Sequence, residues 1–289
     1  MPNSIYGKKK ITIITKDGFN LRSYFAELFS RIELVYFFCK RDFVVLYKQT
    51  ILGPLWYLIQ PFLTSLVFLI IFNKFAKLTT EGVPGILFYY IGNISWIFFS
   101  STIQSVGLTL IVNAELYKKV YFPRIAMPLS TVLVGYIKFT FQFLLFLILF
   151  LYYCSTGFIA QTNINILLVP LFLLHLGIIT IALGLIVASI TVKYRDLAVT
   201  LNFGIQLLMF ATPIIYSFNS IPEKYKFFGY LNPLVPIFEN IRNAFFGIEL
   251  IEFKYYFSSI GLTVLLFFIA IKLFIRAEKN FIDTVWAAQ

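Results

Sequence analysis

Apolar residues run along this chain in long, nearly uninterrupted stretches, and the polar residues are gathered between them. A stretch of about 20 apolar residues matches the roughly 30 Å hydrocarbon core of a bilayer. Six such spans are predicted: Leu55–Phe75, Ile86–Leu110, Leu129–Tyr153, Ile166–Ile190, Val199–Ser217 and Tyr256–Ile275. The fifth is the weakest, because Asn202, Gln206 and Pro213 interrupt it. An even number of spans places both termini on one side of the membrane.

Two stretches are neither span nor simple loop. Over residues 20–53, Leu21, Phe25, Leu28, Phe29, Ile32 and Val35 recur at helical spacing, with Arg22, Glu27, Arg31 and Glu33 between them. That pattern predicts an amphipathic helix lying in the membrane interface. Residues 218–255 combine apolar and aromatic content with Pro222, Pro233 and Pro236. Structureless loops of this length are uncommon, so short helices turned back toward the membrane are expected, their backbone buried in protein. The expected fold is all-α. A cytoplasmic segment, residues 1–53, precedes a six-span transmembrane domain, residues 54–289.

Composition agrees: 60% of residues are hydrophobic and 13% charged, with a mean hydropathy of +0.85. The formal charge of +11 would suggest nucleic acid as a partner of a soluble protein. In a chain of spans it reads as Lys and Arg of cytoplasmic loops, and no nucleic-acid partner is expected. Lys118, Lys119, Arg124, Lys193 and Arg195 lie in short connections on the side of the basic N-terminal segment, against Lys74 and Lys77 in the first connection on the other side. The bias puts both termini in the cytoplasm. Cys39 and Cys154 are the only cysteines and fall in different regions, so no disulfide framework is expected. No cleavable signal is expected either.

The 13 acidic residues sharpen the picture, since none lies within the six spans. Ion-coupled transporters usually carry a membrane carboxylate, and a membrane enzyme needs acids or histidines near its site. His175 is the lone histidine and sits in the fourth span, where a helix–helix hydrogen bond is its expected role. Energy must therefore come from outside the spans. Lys138, in the third span, is expected to snorkel to the interface. Thr180, Gly184 and Ala188, four apart, form a small-residue stripe for close helix packing.

Residues 40–61 read KRDFVVLYKQTILGPLWYLIQP, a basic interfacial helix ending at Gly53-Pro54, where the chain turns into the first span. Residues 113–130 read NAELYKKVYFPRIAMPLS, a short connection with a one-to-two-turn helix, Glu115–Val120, stopped by Pro123. These two runs resemble the ABC-transporter permeases that export lipid-linked polysaccharide, the family of O-antigen, capsule and teichoic acid exporters. The likeness covers essentially the whole chain, including Asn232-Pro233 in the outer segment.

The resemblance implies a set of roles. Arg41, Asp42, Lys48, Gln49 and Gly53 would belong to a cytoplasmic gate helix and its turn into span one, with Arg41 and Lys48 as contacts for a lipid-pyrophosphate headgroup; attraction of anionic membrane lipids would account for the same charges. Glu115, Leu116, Tyr117, Lys118, Lys119, Val120, Tyr121 and Phe122, within about residues 113–124, would be the coupling helix that docks on an ATPase subunit. Outer gate helices would occupy about residues 222–247, with Asn232, Pro233, Glu239 and Arg242. Glu239 and Arg242 are three apart and are expected to form a solvated pair. Trp56, Tyr57, Phe62, Phe203, Phe210 and Tyr216 would line the conduit.

The chain has no GxxxxGK[ST] phosphate loop. It is therefore expected to be no enzyme on its own and to bind no cofactor, ATP being hydrolysed by a partner nucleotide-binding subunit. A homodimer with two ATPase subunits is implied. Two other functions fit the spans: export of a small amphiphile such as a drug or lipid, or a membrane enzyme for lipid-linked sugars using loop acids such as Glu81, Glu223 and Glu252.

Overall fold

The computed structural model describes residues 21–48, 53–120, 122–158, 163–194, 196–248 and 252–286. Among them every regular element is helical. Five helices are long and apolar enough to cross a membrane: Trp56–Phe75, Gly85–Gly107, Ala126–Ser155, Ile164–Thr191 and Lys254–Glu278. They belong to α3 (Trp56–Phe68, continued by a π-helical turn Leu69–Phe75), α4 (Gly85–Gly107), α7 (Ala126–Ser155), α8 (Val169–Thr191, preceded by the 3₁₀ turn Ile164–Leu168) and α12 (Phe253–Trp286).

The centre of the bundle is α4. Leu87, Phe88, Tyr89, Tyr90 and Ile91 are buried in succession, all round the helix, and α3, α7, α8 and α9 (Leu197–Phe210) pack on it. The small-residue stripe of α8 faces α4: a Cβ at Gly184 would come within 2.6 Å of Val106 Cγ1. Thr191 donates to the Gly107 carbonyl at 2.9 Å, pinning the ends of α8 and α4 side by side. His175 meets Thr263 of α12 at 2.9 Å, the helix–helix bond its position suggests.

Pro61 illustrates how the bundle settles its backbone. Lacking an N–H, it leaves the Tyr57 carbonyl without its helical donor. Gln142 of α7 supplies one, its Nε2 donating to Tyr57 O at 3.1 Å. The Pro61 carbonyl accepts from Ser65 Oγ at 2.8 Å and from Asn93 Nδ2 of α4 at 3.0 Å. In a lipid-facing bundle such groups have no water to turn to.

Two expectations need correction. The single N-terminal amphipathic helix is two, α1 (Leu21–Ser30) and α2 (Ile32–Lys48), broken at Arg31. Three-residue bonds, Arg31 N to Leu28 O and Leu34 N to Arg31 O, tighten the chain there. Leu28 and Val35 are buried, while Phe29 and Ile32, expected on the same face, are exposed. The fifth predicted span is also shorter than Val199–Ser217. Its helix, α9, has 14 residues, about 21 Å at 1.5 Å per residue, and residues 211–217 are unwound.

The reason for that unwinding lies in the outer segment, which does fold into short helices, α10 (Glu223–Leu231) and α11 (Leu234–Phe246). The pair expected to be solvated on α11 is instead enclosed: Arg242 is 1% and Glu239 3% exposed. Arg242 Nη1 donates to the carbonyls of Pro213 at 2.6 Å and Tyr216 at 3.3 Å and to Glu239 Oε1 at 3.0 Å, while Nη2 donates to Ile214 O at 2.7 Å. Its guanidinium lies 3.9 Å from the Phe88 ring centroid of α4. Pro213 ends the helix, and the arginine takes the carbonyls that the ended helix exposes. Gly92 makes room, since a Cβ there would lie 2.8 Å from Nη2.

Arg242→Met should therefore destabilise the protein by about 3–5 kcal/mol, because it strands a buried carboxylate and three carbonyls. Glu239→Gln should cost clearly less, as the guanidinium keeps its carbonyl partners. Thermal unfolding of the two variants in detergent checks the order, and equal midpoints would refute it.

Candidate functional site

One end of the bundle carries the residues of both sequence motifs. After α4 the chain makes a single turn, α5 (Thr109–Val112), then α6 (Ala114–Lys119), and extends at Val120 before re-entering at α7. Asn113 stands at the start of α6, its Nδ2 on the Thr109 carbonyl at 2.9 Å. Glu115 in the first turn of α6 and Lys118 and Lys119 in the last suit the helix dipole.

The two sides of α6 differ. Glu115, Lys118, Lys119 and Val120 are exposed, with Lys118 Nζ 3.0 Å from Glu115 Oε1. Leu116 is partly buried and Tyr117 is buried. The Tyr117 ring packs on Phe122 at 5.4 Å, and Phe122 packs on Phe38 of α2 at 5.2 Å. Tyr121 lies outside the described residues.

Behind this hairpin sits a joint made from four separate segments. Arg124 lies 5.3 Å from the Tyr117 ring centroid and donates to the Glu278 carbonyl on α12 at 2.8 Å. Its Nε is 3.9 Å from Glu278 Oε1. The hydroxyl of Tyr24 on α1 donates to Glu278 Oε2 at 2.9 Å. Burial, and then the neighbouring Glu278 charge, push the Tyr24 hydroxyl far above its ordinary range, so it keeps its proton and stays a donor. Burial likewise pushes up the Tyr117 hydroxyl. Glu278 and Tyr24 escaped the sequence reading. An acid placed just past the last apolar run, facing Arg124 of the motif, was the available signal.

Of the gate-helix residues, Arg41 and Asp42 pair with each other at 2.7 Å on α2, and Arg41 also stacks on Phe38 at 5.2 Å. Lys48 is exposed at the last position of α2. Gln49 lies outside the described residues. Gly53 takes φ +52°, the left-handed conformation in which glycine is at no steric cost, and starts the turn into α3.

The six aromatics expected to line a conduit divide within a single chain. Trp56, Phe203 and Phe210 face outward from α3 and α9. Phe62 packs on Tyr90 at 6.2 Å, and Tyr57 carries the Lys138 ammonium 5.4 Å from its ring centroid. Tyr216 donates to the Phe210 carbonyl at 3.1 Å.

At the opposite end, Asn232-Pro233 works as a corner. Asn232 Oδ1 accepts from Leu234 N at 3.0 Å, capping α11, while its Nδ2 donates to Thr212 Oγ1 at 2.9 Å and Ala211 O at 3.2 Å, where α9 ends. Ser217 donates to Glu81 of the loop after α3, tying that loop to the same corner. Burial pushes the Glu239 carboxyl above the usual carboxylate range, against the pull of Arg242.

The bundle, with a charged hairpin at one end and short helices folded into the other, is that of a polytopic membrane protein. Residues 33–246 match the ABC-2 type transporter family, and the chain belongs to it. It is 28% identical over 236 residues to an O-antigen export system permease protein RfbA of Klebsiella pneumoniae, covering 80% of this chain and 88% of that protein. An RfbA of Myxococcus xanthus is 25% identical over 261 residues, 90% of this chain and 98% of the relative.

Glu278→Gln should leave α6 exposed while weakening the tie between α6, α1 and α12. Hydrogen exchange should then rise several-fold in α1 and α6 while α4 stays protected. Exchange rising equally throughout the bundle would mean that Glu278 only holds the fold.

Proposed function

We propose that this chain is the permease subunit of an ATP-driven exporter that moves lipid-linked, O-antigen-like polysaccharide across the bacterial cytoplasmic membrane. The observation that carries the energy source is the build of α6. Its charged side is free, and its aromatic side is braced through Tyr117, Phe122 and Arg124 onto α2 and α12. A short helix held so firmly, with none of the described residues covering its outer side, suits docking by a separate subunit whose movement it passes on. The permease names of the relatives support the cargo.

In this reading ATP is hydrolysed by the partner, and both termini lie in the cytoplasm with α6. Two copies of the chain and two ATPase subunits make the transporter, and Trp56, Phe203 and Phe210 face the second copy across the conduit. Arg41 and Lys48 on α2 meet the headgroup as it arrives, and the Asn232–Arg242 corner closes the far side. Among the described residues the spans hold no carboxylate short of Glu278, at the very end of the last one, which is why the drive is placed outside them.

Reversing Lys118 and Lys119 to glutamate should weaken co-purification of the ATPase subunit by roughly tenfold or more, as removal of close charge pairs does at interfaces. Export of glycan should fall with it while the chain still inserts and folds. Transport by vesicles holding this chain and no ATPase would sink the proposal.

A further inference from the structure

Between α2, the α4–α5 junction and the first turns of α7 lies a cavity of about 370 Å³. That is at the small end of the range for ligand sites. Its charges do not cancel. Arg41 is already matched by Asp42 at 2.7 Å, but Lys138 has no acidic partner among the described residues. It lies on α7 within a spanning helix, half-buried, with the Tyr57 ring as its aromatic neighbour. A lone ammonium at such a place is costly, and in membrane proteins it marks a ligand or a missing counter-charge.

The hydroxyls of the wall have a direction. Ser101 donates to Ile97 O at 2.6 Å, Ser105 to Ser101 O at 2.8 Å, and Thr131 to Met127 O at 3.0 Å. Their protons are used within their own helices, so they offer lone pairs to the cavity. Thr102 is the exception. It is 2% exposed, lines the cavity, and its Oγ1 has no partner among the described residues. Gly135 opposite leaves it space, since a Cβ there would collide with that oxygen. A buried hydroxyl left unpaired costs about 1–3 kcal/mol unless a ligand or water completes it.

The lining of the cavity thus offers one unbalanced positive charge, two donors and three acceptors. We infer that it binds a singly charged phosphodiester carried on a hydroxyl-bearing unit, Lys138 and Thr102 donating to the phosphate oxygens and Ser101, Ser105 and Thr131 accepting from the ligand's hydroxyls. A pyrophosphate would bring two charges to one cation. A choline headgroup would bring a second cation and no hydroxyl. Two sources present the matching chemistry, a phospholipid with a polyol headgroup and a phosphosugar unit of the cargo, and the site goes beyond the export reading because it stands with either.

The full chain, in the oligomeric form in which it purifies, can be titrated with three probes by calorimetry: dihexanoyl phosphatidylglycerol, methyl glucosyl phosphate and dihexanoyl phosphatidylcholine. Saturable binding of the first identifies a membrane lipid and of the second a cargo unit, with the choline lipid at least tenfold weaker. Lys138→Met and Thr102→Val should each weaken binding by about tenfold, the loss expected for a charge-assisted hydrogen bond, and Lys138→Arg should retain it. No binding of either hydroxyl-bearing probe, equal binding of the choline lipid, or folded Met and Val variants that bind like the parent would overturn the assignment. Should a variant fail to fold, the discrimination among probes by the unaltered protein decides.

Discussion

An arginine enclosed in an apolar bundle must be met by oxygen on nearly every side, and the outer half of this protein is arranged around how Arg242 is met. Apolar burial is non-directional, so it would let α9 run straight on past Phe210. A guanidinium has a fixed fork of donors, and here the carbonyls of Pro213, Ile214 and Tyr216 reach its two terminal nitrogens only because the helix has stopped, while Nε has no partner among the described residues. The break in α9, the burial of α11 and the absent side chain at Gly92 are therefore one solution rather than three features. Glu239 completes the electrostatics, and Asn232 fixes the corner that lets α11 enter the bundle.

The other end uses the same device with the signs exchanged. There the shared group is an acid, Glu278, and the segments brought to it are α1, the α6 hairpin and α12. Between the two ends runs α4, buried all round over residues 86–96 and bonded to α3 and α8 through polar groups such as Asn93 and Gly107 O. A displacement of α6 accordingly has a stiff path through the bundle, since close-packed interiors transmit strain. For the exporter proposed here, that continuity links a push at the ATPase side with the latch at the far side.

Much of the fold was legible because lipid imposes its own length rule. Five spans, the outer helices, the turn at Gly53 and the charged hairpin all follow from runs of apolar residues and the placing of Pro, Gly and Lys. Spacing also paired Glu239 with Arg242. What spacing could not supply was their environment, because two charges three residues apart look alike in water and in a core. The break at Arg31 was hidden for a related reason: apolar residues on both sides of it mimic one continuous face. The hydroxyl row Ser101, Thr102 and Ser105 on α4 and Thr109 on α5 was present in the sequence, but serines and threonines in a span usually satisfy themselves on their own helix, so the row carried no message until Lys138 was placed opposite.

The Tyr24–Glu278 bond spans 254 positions of sequence. During synthesis the first helices emerge long before the acid that will hold them, and every spanning helix must be threaded into the bilayer in between. Until then α1 has only the lipid surface to rest on, for which its exposed Phe29 is well suited. The face on which α6 stands is thus finished last. A chain whose last helix has not yet inserted would present a loose hairpin, so its cytoplasmic-type end becomes a firm platform only after assembly of the whole bundle is complete.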